Sequence, residues 1–261
     1  MSHDITRVLS EWDYDPERPM VRIIQGEDGR QKIQLRLDLG LLQMEVDGRP
    51  DGRRPEGYET FLDYCQARQQ AHDEAHPDSA PFTLSERDCA LLWQEGVQFY
   101  HRYLSFWHLE RYPLCARDTL RNLELFAFVR QHTHDDRLKM QFDQWRPYVL
   151  MMHSRAVATP LVQAGQAAEA LKVIESGIDA IRDFLDEYGQ GHRAEECVEL
   201  VNLERWREEV LELAAEQPSS NSGLKVQVLR RRLDEAVAHE EFEEAARLRD
   251  EIRRLSDPPI D

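Results

Sequence analysis

Residues 224–255 read LKVQVLRRRLDEAVAHEEFEEAARLRDEIRRL. Val226, Leu229, Leu233, Ala236 and Val237 fall on one face of a helix. After the interruption His239-Glu240-Glu241, the residues Phe242, Ala245, Ala246, Ile252 and Leu255 repeat that spacing. The interruption leaves room only for a tight turn, so the two helices are predicted to fold back as an antiparallel hairpin. Glu241 stands where the second helix needs an N-cap, and Glu244 three residues on suits a capping box. So short a unit is expected to make no core of its own. Its apolar stripe has to be covered by another copy, by the rest of the chain or by a partner, and that requirement points to binding rather than chemistry.

Working outward, residues 216–223 (EQPSSNSG) form a polar linker with a Pro and a Gly, read as a flexible tether. Residues 256–261 read as a disordered tail. Residues 57–215 read as helical throughout, over 58–74, 85–110, 114–132, 138–164, 167–188 and 193–215, with Pro113, Gly165 and Gly189 as punctuation. Ser85 followed by Asp88 is an N-cap signal, and Pro147 and Pro160 are expected to kink or break the fourth helix. Residues 1–56 hold the strand-like patterns. Val21 and Ile23 alternate with polar neighbours, as do Ile33, Leu35, Leu37 and Leu39, and then Leu42, Met44 and Val46. A three-stranded antiparallel meander is predicted, its apolar face laid on the helices that follow. The fold class is mainly α (α+β).

Two resemblances bear on this organisation. The hairpin resembles the UvrB/UvrC motif, the UVR domain found at the ends of bacterial excision-repair proteins. The residues that carry the likeness are Leu229, Leu233, Ala236 and Val237, then Glu241-Phe242-Glu243-Glu244-Ala245-Ala246, then Leu248-Arg249-Asp250 and Ile252. The likeness covers about an eighth of the chain. It implies a hairpin that pairs with another of its kind and so joins two proteins, with the aromatic at the turn, Phe242, in the contact. By the same resemblance the partner-binding set is Leu229, Leu233, Val237, Phe242, Ala245, Ala246, Arg249 and Ile252. Together with the meander, the whole chain resembles bacterial proteins that end in this hairpin, a likeness that brings no activity with it. Within the helical body, Ala156, Gly165, Glu169-Ala170-Leu171 and Gly177 weakly resemble a tetratricopeptide repeat, from which Pro160 departs.

Charge narrows the function classes. The net charge is −17, yet residues 224–255 are balanced, so the acidity lies in the rest of the protein. Such a body repels phosphate backbones and gains nothing from counterion release, which argues against direct nucleic-acid binding. The Arg230-Arg231-Arg232 run reads as a solvated helix face or a contact for an acidic partner. No run of about 18 apolar residues predicts a membrane span, and the acidic N-terminus does not read as a signal peptide, so a cytoplasmic location is expected. Cys65, Cys89, Cys115 and Cys197 are spaced for neither zinc nor a disulfide framework.

The motifs of several chemistries are missing. There is no P-loop, no G-x-S-x-G elbow and no H-E-x-x-H. The zinc cysteines of the protease and kinase adaptors that share this hairpin are missing too. Asp47-Gly48-Arg49-Pro50-Asp51-Gly52-Arg53-Arg54-Pro55 displays Arg49, Arg53 and Arg54 on a Gly/Pro-rich bend, a possible carboxylate or phosphate grip. Its plainer reading is a rigid solvated connection. His132-Thr133-His134-Asp135-Asp136 reads as a helix connection rather than a metal site. Trp93, Phe99, Tyr100, Tyr103, Phe106 and Trp107 run around one helix and read as core, with a face left over for a partner. Asp13 and Asp15 read as turn acids.

The sequence is thus read as an interaction adaptor, not an enzyme, that binds a protein partner or itself through the hairpin. No catalytic, cofactor or metal residue is assigned. The rival readings are an accessory of nucleotide excision repair, an enzyme or anion-binding protein with a concave basic site at residues 47–55, and a regulator of a Clp-type protein-quality-control system.

Overall fold

The computed structural model describes residues 4–77, 80–216 and 222–256. The expected tail beyond Ser256, and most of the expected linker, lie outside the described residues. The fold is mainly α, with a small three-stranded antiparallel sheet. After a short helix α1 (Thr6–Ser10) come β1 (Met20–Gln25), β2 (Gln31–Leu37) and β3 (Gly40–Glu45), in the sheet order β1-β2-β3.

Register explains why this meander forms. Val21 pairs with Leu35 and Leu35 with Leu42, while Ile23 pairs with Ile33 and Ile33 with Met44. All six side chains therefore share one face. The other face carries a polar ladder in which Arg22 donates to Gln34 (2.8 Å) and Gln34 to Gln43 (2.9 Å). Trp12 covers this ladder, with the Arg22 guanidinium 4.1 Å from its ring centroid and its carbonyl accepting from Arg36 Nε at 3.0 Å.

Among the described residues, seven α-helices follow the strands before the hairpin: α2 (Phe61–Ala75), α3 (Glu86–His108), α4 (Tyr112–His132), α5 (Asp136–Asp143), α6 (Arg146–Gln163), α7 (Ala167–Glu187) and α8 (Val198–Glu216). The chain closes with α9 (Ser222–Ala238) and α10 (Phe242–Ser256). The two prolines of the expected fourth helix act differently. Pro147 is the second residue of α6, where a missing N–H breaks no bond, and the chain is interrupted just before it. Pro160 sits inside α6.

Packing divides the chain into two compact units, residues 1–156 and 157–261. In the first, the apolar sheet face (Ile33, Leu35, Met44) shares a core with Tyr103, Phe106, Cys115 and Met152. A second core joins Phe61, Leu62 and Cys65 of α2 to α3, α4 and Phe142 of α5. Both α2 and α3 open on capping boxes: Thr60 with Asp63, and Ser85 with Asp88. In the second unit α7 buries Ala167, Ala170, Leu171, Ile174, Ile178 and Ile181, an uninterrupted helical stripe, and packs on α8.

Candidate functional site

The hairpin turn is closed by backbone. The N–H of Glu241 donates to the carbonyl of Ala236 at 2.8 Å, and that of Glu240 to Val237 at 3.1 Å. With Glu240 at φ +60°, this is a Schellman motif. Helix α7 ends the same way around Gly189 and α6 around Gly165, whereas α3 and α9 place a glutamate, Glu110 and Glu240, in the left-handed position.

Contrary to the expectation that the hairpin makes no core of its own, the two helices face their stripes toward each other, because the antiparallel fold lets each helix cover the other. Leu229, Ala236, Ala245 and Leu248 are buried together, with Leu233, Ile252 and Leu255 packed against them. Of the partner-binding set read from the sequence, Leu229 and Ala245 are therefore inside the hairpin, Leu233, Ala246 and Ile252 are half-buried, and Arg249 is exposed. Val237 and Phe242 flank the turn and stay open, 54% and 69% exposed. Phe242 stands in a shallow hollow lined by Glu240, Glu241, Glu243, Glu244 and Arg247. An apolar knob ringed by four glutamates is complementary to an apolar pocket with a basic rim.

The back of the hairpin is engaged. Arg231 forms ion pairs with both Glu208 and Glu212 of α8, and Val228, one helical turn before it, is buried. Burial alone would raise the pKa of Glu208, but its hydrogen bonds from Arg207 and Arg231 outweigh that and hold it below the ordinary carboxylate value. The middle of the arginine run thus finds its acidic partner within its own chain, while Arg230 and Arg232 remain exposed. Nothing local in the sequence marks Glu208 and Glu212 as that partner.

The arginine loop is stapled from beneath. Arg102 of α3, only 1% exposed, holds Asp118 of α4 through two bonds of 2.6 and 3.0 Å and also donates to the carbonyls of Glu45 (3.1 Å) and Gly48 (2.7 Å). Arg117 bonds Asp118 (3.0 Å), Asp47 (2.8 Å) and the Val46 carbonyl (2.7 Å). Arg49 lies 3.3 Å from Glu95 and 3.5 Å from Asp51. Glu95 is fully buried and accepts from the first N–H groups of α2, Phe61 at 2.6 Å and Leu62 at 3.0 Å. Burial pushes its carboxyl above the ordinary value, against the pull of those two N–H groups and of Arg49.

Of the three loop arginines, Arg49 is therefore spent on internal carboxylates. Arg53 and Arg54 are exposed and, with Arg30, border an open hollow of about 610 Å³ whose other charged lining groups include Glu45, Asp47 and Glu59. The network under the loop (Arg102, Asp118, Arg117, Glu95) was not read from the sequence. Its signal was two charges, Glu95 and Arg102, seven residues apart within an aromatic helical stripe.

The remaining candidates have structural work. Asp135 caps α5, accepting from Arg137 (2.8 Å) and Leu138 (3.3 Å), and His132 packs against Phe82 and Phe128. Asp15 pairs with Arg18 at 2.8 Å. Burial pushes the thiols of Cys65 and Cys115 up to about 12 and that of Cys89 to about 11, so none is a thiolate nucleophile at neutral pH.

A family model, the UvrB/uvrC motif, matches residues 225–257. The hairpin thus carries the UVR motif, an interaction motif rather than a catalytic one. No curated protein and no solved structure matches the chain.

Proposed function

We propose that this protein is an interaction adaptor, and that the acidic-rimmed tip of the UVR hairpin is its docking surface. One observation carries the reading: Phe242, the aromatic at the turn, is 69% exposed, with Val237 open beside it, while Leu229, Leu233, Ala236, Ala245, Leu248 and Ile252 pack between the two helices. A large exposed aromatic at the tip of a rigid turn has the character of a binding hot spot. The occupant is a second copy or a partner protein that offers an apolar pocket among lysines and arginines. The excision-repair and Clp-type readings name two places where such a partner is found, and neither asks for a different surface. Phe242→Ala is expected to weaken association at least about tenfold, ~1.4 kcal/mol, and to leave the thermal midpoint of the chain unchanged. Sedimentation equilibrium reports self-association, and affinity capture with an excision-repair or Clp-type subunit as bait reports the partner. Unchanged association in both overturns the tip.

The hollow beside Arg30, Arg53 and Arg54 favours a second reading, a site for a small carboxylate or phosphate. These three arginines are exposed and hold no ion pair among the described residues, whereas Arg49 on the same wall is held by Glu95 and Asp51. Titration of the full chain with inorganic phosphate is expected to show saturable binding that Arg53→Ala/Arg54→Ala abolishes. Absence of binding in the unsubstituted chain removes this reading and leaves the adaptor untouched.

A further inference from the structure

The sheet ends in two edge strands, β1 and β3, and their outward backbone groups fare differently. The bond that closes the β1–β2 turn, from the N–H of Gly26 to the carbonyl of Arg30 (2.7 Å), fixes which residues exchange bonds. With the register Ile24↔Lys32, Arg22↔Gln34 and Met20↔Arg36, the hydrogen-bonded positions of β1 are Met20, Arg22 and Ile24. The N–H and C=O groups of Val21, Ile23 and Gln25 therefore point away from the sheet. Among the described residues those groups have no hydrogen-bond partner. By the same alternation Leu41, Gln43 and Glu45 point outward from β3. There Glu45 is already taken: its N–H donates to the carbonyl of Pro50 at 2.8 Å, and its own carbonyl accepts from Arg102 at 3.1 Å. The loop after β3 thus folds back over its own edge, and β1 has no such cover among the described residues.

The β1 edge also lacks the devices that keep edge strands apart. Those devices are lysines, prolines, bulges and covering segments. Met20-Val21-Arg22-Ile23-Ile24-Gln25 contains no Lys, Pro or Gly, and its register with β2 runs without a bulge. Its one charge, Arg22, is drawn onto the polar face by Gln34 and the Trp12 ring. Val21, Ile23 and Ile24 are β-branched and only half-buried.

We propose that the β1 edge pairs antiparallel with β1 of a second copy, joining the two sheets into one. The strand is complementary to itself in one register, with Ile23 opposite Ile23 of the other copy and Val21 opposite Gln25. Every outward group of the edge then finds a partner. On one face the apolar row Met44, Ile33, Ile23 runs on into the same row of the second copy. On the other face Arg22 meets Ile24. A shift of two residues one way opposes Arg22 to Arg22 and leaves Gln25 unpaired, and a shift the other way leaves Val21 unpaired. Register thus selects a second copy over an unrelated peptide. The net charge of −17 on each copy opposes their approach, so the pairing is weak at low salt and strengthens as salt is added.

Sedimentation equilibrium of the full chain carrying Phe242→Ala tests the edge apart from the hairpin tip. A dimer that tightens with salt is expected. Gln25→Pro removes an outward N–H and leaves the β1–β2 ladder whole, since proline is tolerated where a strand's N–H faces solvent. It is expected to weaken the dimer at least about tenfold. Amide exchange read by NMR needs no further substitution. Between about 10 μM and about 1 mM protein, the amides of Val21, Ile23 and Gln25 are expected to slow several-fold, while those of Arg22 and Ile24, already bonded to β2, hold constant. Three results overturn the proposal: a monomer at about 1 mM in high salt, which leaves the edge to an extended peptide of another protein; a folded Gln25→Pro variant that dimerises as before; or exchange at Val21, Ile23 and Gln25 that is independent of concentration.

Discussion

Two arginine clasps in this molecule use the same chemistry at different depths. Arg102 and Asp118, each with a side chain 1% exposed, lie under the 46–54 loop. Arg231 reaches Glu208 and Glu212 from the hairpin with side chains 26%, 29% and 44% exposed. The buried pair has every charge committed: the same guanidinium also ties down the loop carbonyls, and Arg117 shares the carboxylate. Removing one member strands the others away from water. The hairpin clasp stays wet, so its loss is made good by solvent. A buried clasp specifies the shape of a loop, and a wet one biases where a hairpin rests.

That contrast makes predictions of unequal size. Asp118→Ala strands the Arg102 guanidinium and is expected to destabilise by about 3–5 kcal/mol. Arg231→Ala is expected to destabilise by about 1 kcal/mol or less, an effect that fades as salt is raised. Urea unfolding of both variants at low and high salt makes the measurement, and equal losses would erase the distinction between the clasps.

The carboxylates beneath the two regions also titrate with opposite sign. Glu95 is held above its ordinary value, so the folded state binds its proton more tightly than the unfolded state. Its contribution is complete below the ordinary glutamate range and declines as pH rises through the raised folded value. Glu208 is held below its ordinary value. Its contribution is present above the ordinary range and is lost as pH falls through the depressed folded value. Glu95→Gln is expected to remove a downward slope of stability with rising pH just above the carboxylate range, and Glu208→Gln an upward slope below it. Unfolding free energies at closely spaced pH values test both, and slopes unaltered by either change refute the assignment.

The smallest effect concerns the turn itself. Glu240 holds a left-handed position that Gly165 and Gly189 fill elsewhere. Glu240→Gly is expected to raise stability by about 1 kcal/mol, visible as a higher thermal midpoint. A lower midpoint would mean that the glutamate side chain contributes more to the turn than its backbone strain removes.

How much of this was legible in the sequence follows from the range of each interaction. The meander, the cap at Ser85, and the hairpin with its aromatic turn are each written within a few residues, whereas the Thr60 cap was passed over inside a helix expected from residue 58. Periodicity and cap chemistry therefore reveal the first three, and the motif match at residues 225–257 agrees with the hairpin reading. The arginine loop was visible as a bend. Which of its arginines is free was not, because Glu95 lies 46 residues beyond Arg49. The aromatic run on α3 was visible as core. That part of it borders a hollow with Trp145 and Tyr148 depends on the α5–α6 corner.

The amino-acid order by itself determined that the chain is mainly helical, that a small antiparallel sheet leads it, and that a two-helix motif with an aromatic turn closes it. Each of these depends on spacing along the backbone. Only the tertiary structure decided that the motif's stripe closes on itself and leaves Phe242 and Val237 outside, that Arg231 is held by α8, and that Arg102 locks the loop 54 residues before it to Asp118. Those outcomes turn on which side chains lose water together, and burial is a property of the packed whole rather than of any segment.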